Sequence, residues 1–166
     1  MSLHLPTLIK MLLPGGRTSK IHHELELKLG YHFRSRELLQ RALTHRSYLN
    51  APPNGDVWTN ERLEFLGDSV LGMLTSRFLF DHFPDKNEGD LTKLKSTLVS
   101  EANLSQIARS INLGKYLLIS EEEDRAGGRE RSSIISDAYE AVIGAVFLDG
   151  GLIPAERMIR KQILEK

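Results

Sequence analysis

The sequence predicts an all-α fold. Apolar residues recur at helical spacing over 61–83 (Leu63, Leu66, Val70, Leu74, Phe78), a nearly unbroken apolar run fills 134–148, and no strand alternation of useful length occurs. The elements follow in order. Residues 21–29 pair Leu25 with Leu29 and stop at Gly30, as a short helix with a glycine terminator does. Ser35 can cap a second helix that carries Leu38, Leu39, Ala42 and Leu43 on one face. A loop is expected at 50–58, where Asn50, Pro52, Pro53, Asn54 and Gly55 cluster. Asn60 precedes the long helix, which Pro84 stops. Further helices are expected at 90–98, with Asp90 as its cap, and at about 101–110, running towards Gly114. The segment 121–133 (EEEDRAGGRERSS) reads as a mobile polar loop with two glycines. The apolar helix 134–148 ends at Asp149-Gly150-Gly151, and Pro154 opens a last amphipathic helix.

Length and composition set bounds on this reading. A chain of 166 residues fits one domain with a real core, and 40% hydrophobic with 27% charged residues is ordinary for a globular protein. The absence of cysteine excludes disulfides, thiolate nucleophiles and cysteine-ligated metal centres. No apolar run approaches the roughly 18 residues of a membrane span, so no membrane partner is expected. Residues 1–13 are apolar, but His4, Pro6 and Lys10 interrupt them, and the first acid is Glu24. A flexible extension over 1–20 is therefore expected before a globular unit at 21–166, with a basic transit peptide as the alternative.

The net charge is zero but unevenly spread. Residues 1–46 hold eight Lys and Arg (Lys10, Arg17, Lys20, Lys28, Arg34, Arg36, Arg41, Arg46) against three acids (Glu24, Glu26, Glu37), a surplus of five positive charges. A neutral chain is a poor stand-alone nucleic-acid binder, because neutralising phosphates supplies most non-specific affinity.

Two acidic motifs carry the candidate chemistry. In Asn60-Glu61-Arg62-Leu63-Glu64-Phe65-Leu66-Gly67-Asp68, the acids Glu61, Glu64 and Asp68 share one helical face, beside the core stripe of Leu63, Leu66 and Val70. On spacing alone a solvated acidic face is the more ordinary reading, and a metal site is the other. The second motif, Asp137-Ala138-Tyr139-Glu140, leads directly into the apolar run. Carboxylates there are seldom fully buried unless paired or metal-bound. A favourable position in the helix macrodipole is the plain alternative for Asp137, less so for the deeper Glu140. Together the motifs offer oxygen donors and no sulfur, which suits Mg²⁺ or Mn²⁺ and phosphodiester hydrolysis. His45 has the chemistry of a general base, but a structural hydrogen bond is the expected role.

These residues resemble the ribonuclease III family. Asn60 to Leu71 (NERLEFLGDSVL) is similar to its most diagnostic motif, and the likeness continues through Leu43–Tyr48, Glu88–Val99, Gly127–Arg129 and Ser136–Gly151. It covers about residues 22–165. The resemblance implies that endonuclease-domain helical fold, as a symmetric homodimer, with Glu64, Asp68, Asp137 and Glu140 as metal-binding catalytic acids. It implies Mg²⁺-dependent cleavage of double-stranded RNA, Mn²⁺ being able to substitute, leaving 5′-phosphates, 3′-hydroxyls and short 3′ overhangs. No small-molecule organic cofactor is implied. The setting implied is cytoplasmic RNA processing, such as that of rRNA precursors.

By the same resemblance Phe65 enters a socket on a partner subunit, an ordinary core role being the alternative, and Glu61 supports the site without being a certain ligand. The Lys and Arg of residues 1–46, with Lys93, Lys95, Arg129 and Arg131, are candidates for phosphate contacts. The usual bacterial enzyme continues into a double-stranded-RNA-binding domain, whereas this sequence stops at Lys166. An excised or truncated catalytic domain is expected, ahead of a naturally short Mini-III type. A non-catalytic RNA-binding dimer of the same fold is the first rival, and intact acids at all four positions argue against it. An unrelated all-α phosphohydrolase is the second, and no His/Asp metal cluster or Gly-rich phosphate loop was found to support it.

Overall fold

The computed structural model describes residues 17–48 and 58–165. Residues 1–16 of the expected extension and most of the expected 50–58 loop lie outside the described residues. The described elements are helical, and their one β-bridge joins Thr44 to Leu118. Among them no helix is long and apolar enough to cross a membrane.

The core is organised around α7 (Ser132–Gly150), which buries Ile134, Ile135, Ala138, Tyr139 and the whole run Ala141–Val146. A stretch apolar all round, as 141–146 is, must be surrounded. It packs most extensively on α3 (Glu61–His82), then on α5 (Glu101–Ser110), α2 (Arg36–Ala42) and α8 (Leu152–Ile159). A π-turn at Arg160–Leu164 follows α8.

The N-terminal helix α1 spans Arg17–Leu29, so it begins four residues ahead of the expected start. It stops where the sequence implies. Gly30 takes φ +71°, Tyr31 N–H donates to the Glu26 carbonyl at 3.1 Å and Gly30 N–H to Leu27 at 3.3 Å, a Schellman C-cap. The turn that follows is held by Asp149, at the far end of α7. Its carboxylate accepts from the Tyr31 hydroxyl (2.7 Å) and from the backbone N–H groups of Arg34 and Ser35 (2.8 Å each). Burial opposes ionisation of Asp149, but these bonds hold its carboxyl below the ordinary range. A second tie runs from the buried Tyr139 hydroxyl to Gln162 (2.9 Å), whose amide donates to the carbonyls of Lys28 and Leu29.

Capping agrees with the sequence at α2, where Ser35 accepts from Leu38 N–H. Two expectations are corrected. The helix expected from Asp90 is α4 (Glu88–Leu98), and Asn87 is its cap, its side chain accepting from Asp90 N–H at 3.0 Å. Both residue types accept equally well, and the chain turns three residues earlier. The segment expected as a mobile loop is instead built. Ser120 caps a short helix α6 (Glu121–Arg125), whose acidic first turn suits the helix dipole, and a 3₁₀ turn follows at Gly128–Glu130. Arg129 ties the segment down, donating to the carbonyls of Gly114 (2.9 Å) and Leu117 (2.7 Å) while pairing with Asp124 at 3.0 Å.

Candidate active site

The first acidic motif occupies the opening turns of α3. Asn60 is buried, its carbonyl accepts from Leu63 and Glu64 N–H, and its own N–H reaches the Thr44 carbonyl at 2.8 Å. These bonds pin the helix start, although the Asn60 side chain makes no capping bond. The second motif lies in the second and third turns of α7, which has no acid in its first turn. That removes the macrodipole explanation for Asp137, since the effect fades beyond the first turn.

A close helix crossing brings the motifs together. A Cβ built on Gly67 would overlap the Glu140 carbonyl oxygen, and one on Gly144 would overlap the Leu63 carbonyl oxygen. The backbones of α3 and α7 therefore touch between Glu64 and Asp68 on one side and just beyond Glu140 on the other. Sequence reasoning missed both glycines; the available signal was a glycine inside each helical pattern, a costly choice without a packing reason.

The electrostatics register the convergence. The Glu140 carboxyl is pushed up to about 8, first by burial and then by the charges of Asp68, Glu64 and Asp137. Burial also raises Glu64, with Asp137, Glu61 and Asp68 adding to it and Arg46 opposing. Asp137 is raised by burial, against a hydrogen bond from Ser136 and the positive field of Arg46. Four acids thus share one neighbourhood with too little positive charge to balance them.

Beside them opens a cleft of about 240 Å³, lined by Glu61, Glu64 and Asp137 together with His45, Arg46, Glu123 and Arg131. Glu61 stands at its rim, 3.6 Å from Arg46, and accepts from the Thr59 hydroxyl at 3.1 Å. Glu123, which the sequence hid inside the supposed loop, pairs with Arg131 at 2.7 Å. His45 N δ1 lies 2.9 Å from the Ser47 hydroxyl and accepts from Ser47 N–H at 3.2 Å. Burial lowers its pKa, so the ring is neutral and structurally engaged.

The remaining expected residues are dispersed. Phe65 is 78% exposed, which excludes an ordinary core role. Arg131 faces the acid cleft, whereas the Arg129 guanidinium is occupied by the carbonyls and Asp124 described above. Lys93 and Lys95 lie on α4, outside the lining of the cleft, and make no ion pair among the described residues.

The donor set fits a hard divalent cation: carboxylate oxygens only, with burial first and then unbalanced negative charge raising Glu140. No three of the four acids, among the described residues, offer oxygens within 4.8 Å of one another.

Comparison with known proteins gives the family of the chain. The family described as Ribonuclease-III-like matches residues 35–166. The chain is 48% identical over 137 residues to Ribonuclease 3 of Syntrophobacter fumaroxidans, covering 82% of this chain and 57% of that protein. It is 48% identical over 139 residues to Ribonuclease 3 of Geobacter metallireducens, covering 83% and 56%. The chain thus spans little more than half the length of these curated relatives. The nuclease domain of ribonuclease III from Campylobacter jejuni superimposes with a TM-score of 0.77 at 44% identity, covering 84% of this chain and 96% of that one. From residue 35 onwards the matched sequence, the α3–α7 crossing and the superposition all point one way, and the chain belongs to the ribonuclease-III-like family.

Proposed function

We propose that this chain is the cleaving domain of a double-strand-specific endoribonuclease. The observation that carries the reading is the convergence of Glu64, Asp68, Asp137 and Glu140 across the Gly67–Gly144 crossing, with Glu140 pushed up to about 8. Glu64 and Asp68 from α3, with Asp137 and Glu140 from α7, would hold Mg²⁺ or Mn²⁺. The ion would supply Lewis-acid activation of water and neutralise charge on the phosphodiester. Glu61, held by Arg46 and Thr59 at the rim, would support the site from beside the α3 ligands rather than as a ligand itself. The products would be 5′-phosphates and 3′-hydroxyls with short 3′ overhangs.

The proposal includes a homodimer with one centre per subunit, each cutting one strand. A large aromatic exposed beside the acids supports it, as does the C. jejuni nuclease domain, described as having a region involved in dimer formation. Arg131, at the cleft, is the favoured phosphate contact; Lys93 and Lys95 would reach phosphates farther along the duplex. Processing of RNA precursors such as rRNA in the cytoplasm is the proposed setting.

The test is incubation with labelled duplex RNA at low salt, with Mg²⁺ or with EDTA. Metal-dependent endonucleolytic cutting that Glu140→Gln abolishes is expected. Binding without cutting would instead identify a non-catalytic RNA-binding relative.

A further inference from the structure

Away from the acid cleft, the end of α1 gathers three side chains of a different chemistry. His23 and Glu26 sit one turn apart on α1, and the turn after Gly30 returns His32 to the same face. One ligand atom from each lies within 4.8 Å of the other two, and this is the only such group of His and acidic side chains among the described residues. Glu26 Oε2 is 3.3 Å from His32 Nδ1 and 3.8 Å from His23 Nδ1. Ligands about 2.0–2.1 Å from a tetrahedral ion stand about 3.3 Å apart, so closing these gaps needs only small side-chain rotations.

We propose that His23, Glu26 and His32 form a Zn²⁺ site that fastens the 31–35 turn to α1. Two features show preparation for it. The other Glu26 oxygen, Oε1, accepts from Phe33 N–H at 2.8 Å, fixing the carboxylate with Oε2 turned to the imidazoles. Outer bonds of that kind orient metal ligands. The two imidazoles stack with centroids 5.6 Å apart and planes 14° from parallel, each presenting Nδ1 to one carboxylate oxygen.

Two imidazole nitrogens select Zn²⁺ over Mg²⁺, the reverse of the preference of the all-carboxylate cleft. Three protein ligands leave a fourth position for water, and both histidines are exposed, so the ion enters from solvent. The bland alternative is a pair of surface His–Glu ion pairs, which contribute little. The site precedes the family-matched residues 35–166 and does not depend on the nuclease reading.

Zn²⁺ titration of the whole chain carrying Glu140→Gln, which weakens metal binding in the cleft, is the test, followed by calorimetry and thermal melting. One equivalent of Zn²⁺ is expected to bind and raise Tm, while Mg²⁺ at the same concentration does not. His32→Ala and, separately, His23→Gln are expected to weaken Zn²⁺ more than about tenfold. His82→Ala, the loss of an exposed histidine elsewhere, is expected to leave binding unchanged. Co²⁺ in place of Zn²⁺ should show the visible absorption of a four-coordinate ion, lost in His32→Ala. Absence of saturable binding, retention of full affinity by His32→Ala and His23→Gln, or equal weakening by His82→Ala would overturn the proposal. Both histidines are solvent-facing, so the variants fold.

Discussion

Gly67 and Gly144 meet where α3 crosses α7, so closely that neither position has room for a methyl group. The neighbour in each case is backbone, which cannot rotate away. Gly144→Ala is expected to destabilise the fold by about 1–3 kcal/mol and to lower cleavage further by parting the two acid pairs. Gly72→Ala on the same helix is the control. Its Cβ would meet only the end of Lys95, 3.5 Å from Nζ, and Ala in a helix interior gains about 0.5–1 kcal/mol over Gly. Urea denaturation of the two variants, read beside cleavage rates, decides the point; equal effects would remove the crossing from the account.

Glu140 makes the stability of the metal-free protein depend on pH. Its carboxyl stands at about 8 when folded against an ordinary 4.5, so the folded state holds its proton more tightly than the unfolded chain. The group costs nothing below the ordinary value, and its ionisation weakens the fold progressively as pH rises through about 8. Glu140→Gln stays neutral throughout. It is expected to match the wild type near pH 5 and exceed it by on the order of 2 kcal/mol near pH 8.5, after allowance for partial exposure. Melting in EDTA across that range checks it, and excess Mg²⁺ should stabilise the wild type alone.

Phe65 projects into solvent from the helix that bears Glu64. Phe65→Glu is expected to preserve helicity and change the stability of the subunit by less than about 0.5 kcal/mol. Sedimentation should show monomer in place of dimer, with duplex cleavage lost. An unaltered dimer would place the subunit contact elsewhere.

Arg129 and Arg131, two residues apart, should separate cleanly. Arg129→Met strips donors from the Gly114 and Leu117 carbonyls and leaves Asp124 unpaired, a loss of about 1–3 kcal/mol. Arg131→Ala removes a half-exposed pair with Glu123, worth at most about 1 kcal/mol. It should weaken RNA binding and flatten the dependence on salt by about one phosphate contact. Denaturation and filter binding on both variants make the comparison.

Periodicity revealed α3 and α7 in the sequence because a buried face writes itself into spacing, and Ser35 and Gly30 marked real helix ends. Local ambiguity defeated the reading at Asn87 and Asp90, where two equivalent caps stand three residues apart. Distant contacts defeated it at 121–133, since a five-residue helix owes its shape to Arg129 and to bonds with residues 114 and 117. The four acids were legible as two pairs. Their meeting rests on glycines that read as weaknesses until the crossing is seen, and Glu123 enters only once α6 has folded. His23 and Glu26 show helical spacing, but His32 joins them only through the left-handed Gly30.

Asp149 also has a temporal consequence. It gathers Tyr31, Arg34 and Ser35 across more than a hundred residues of chain. During synthesis those groups emerge more than a hundred residues before their acceptor. Leu25 and Leu29 belong to the same buried core cluster as the apolar run of α7, a cluster completed only once α7 has been made. Assembly of this long-range kind is slow, and the apolar face of α1 stays exposed until the later elements arrive.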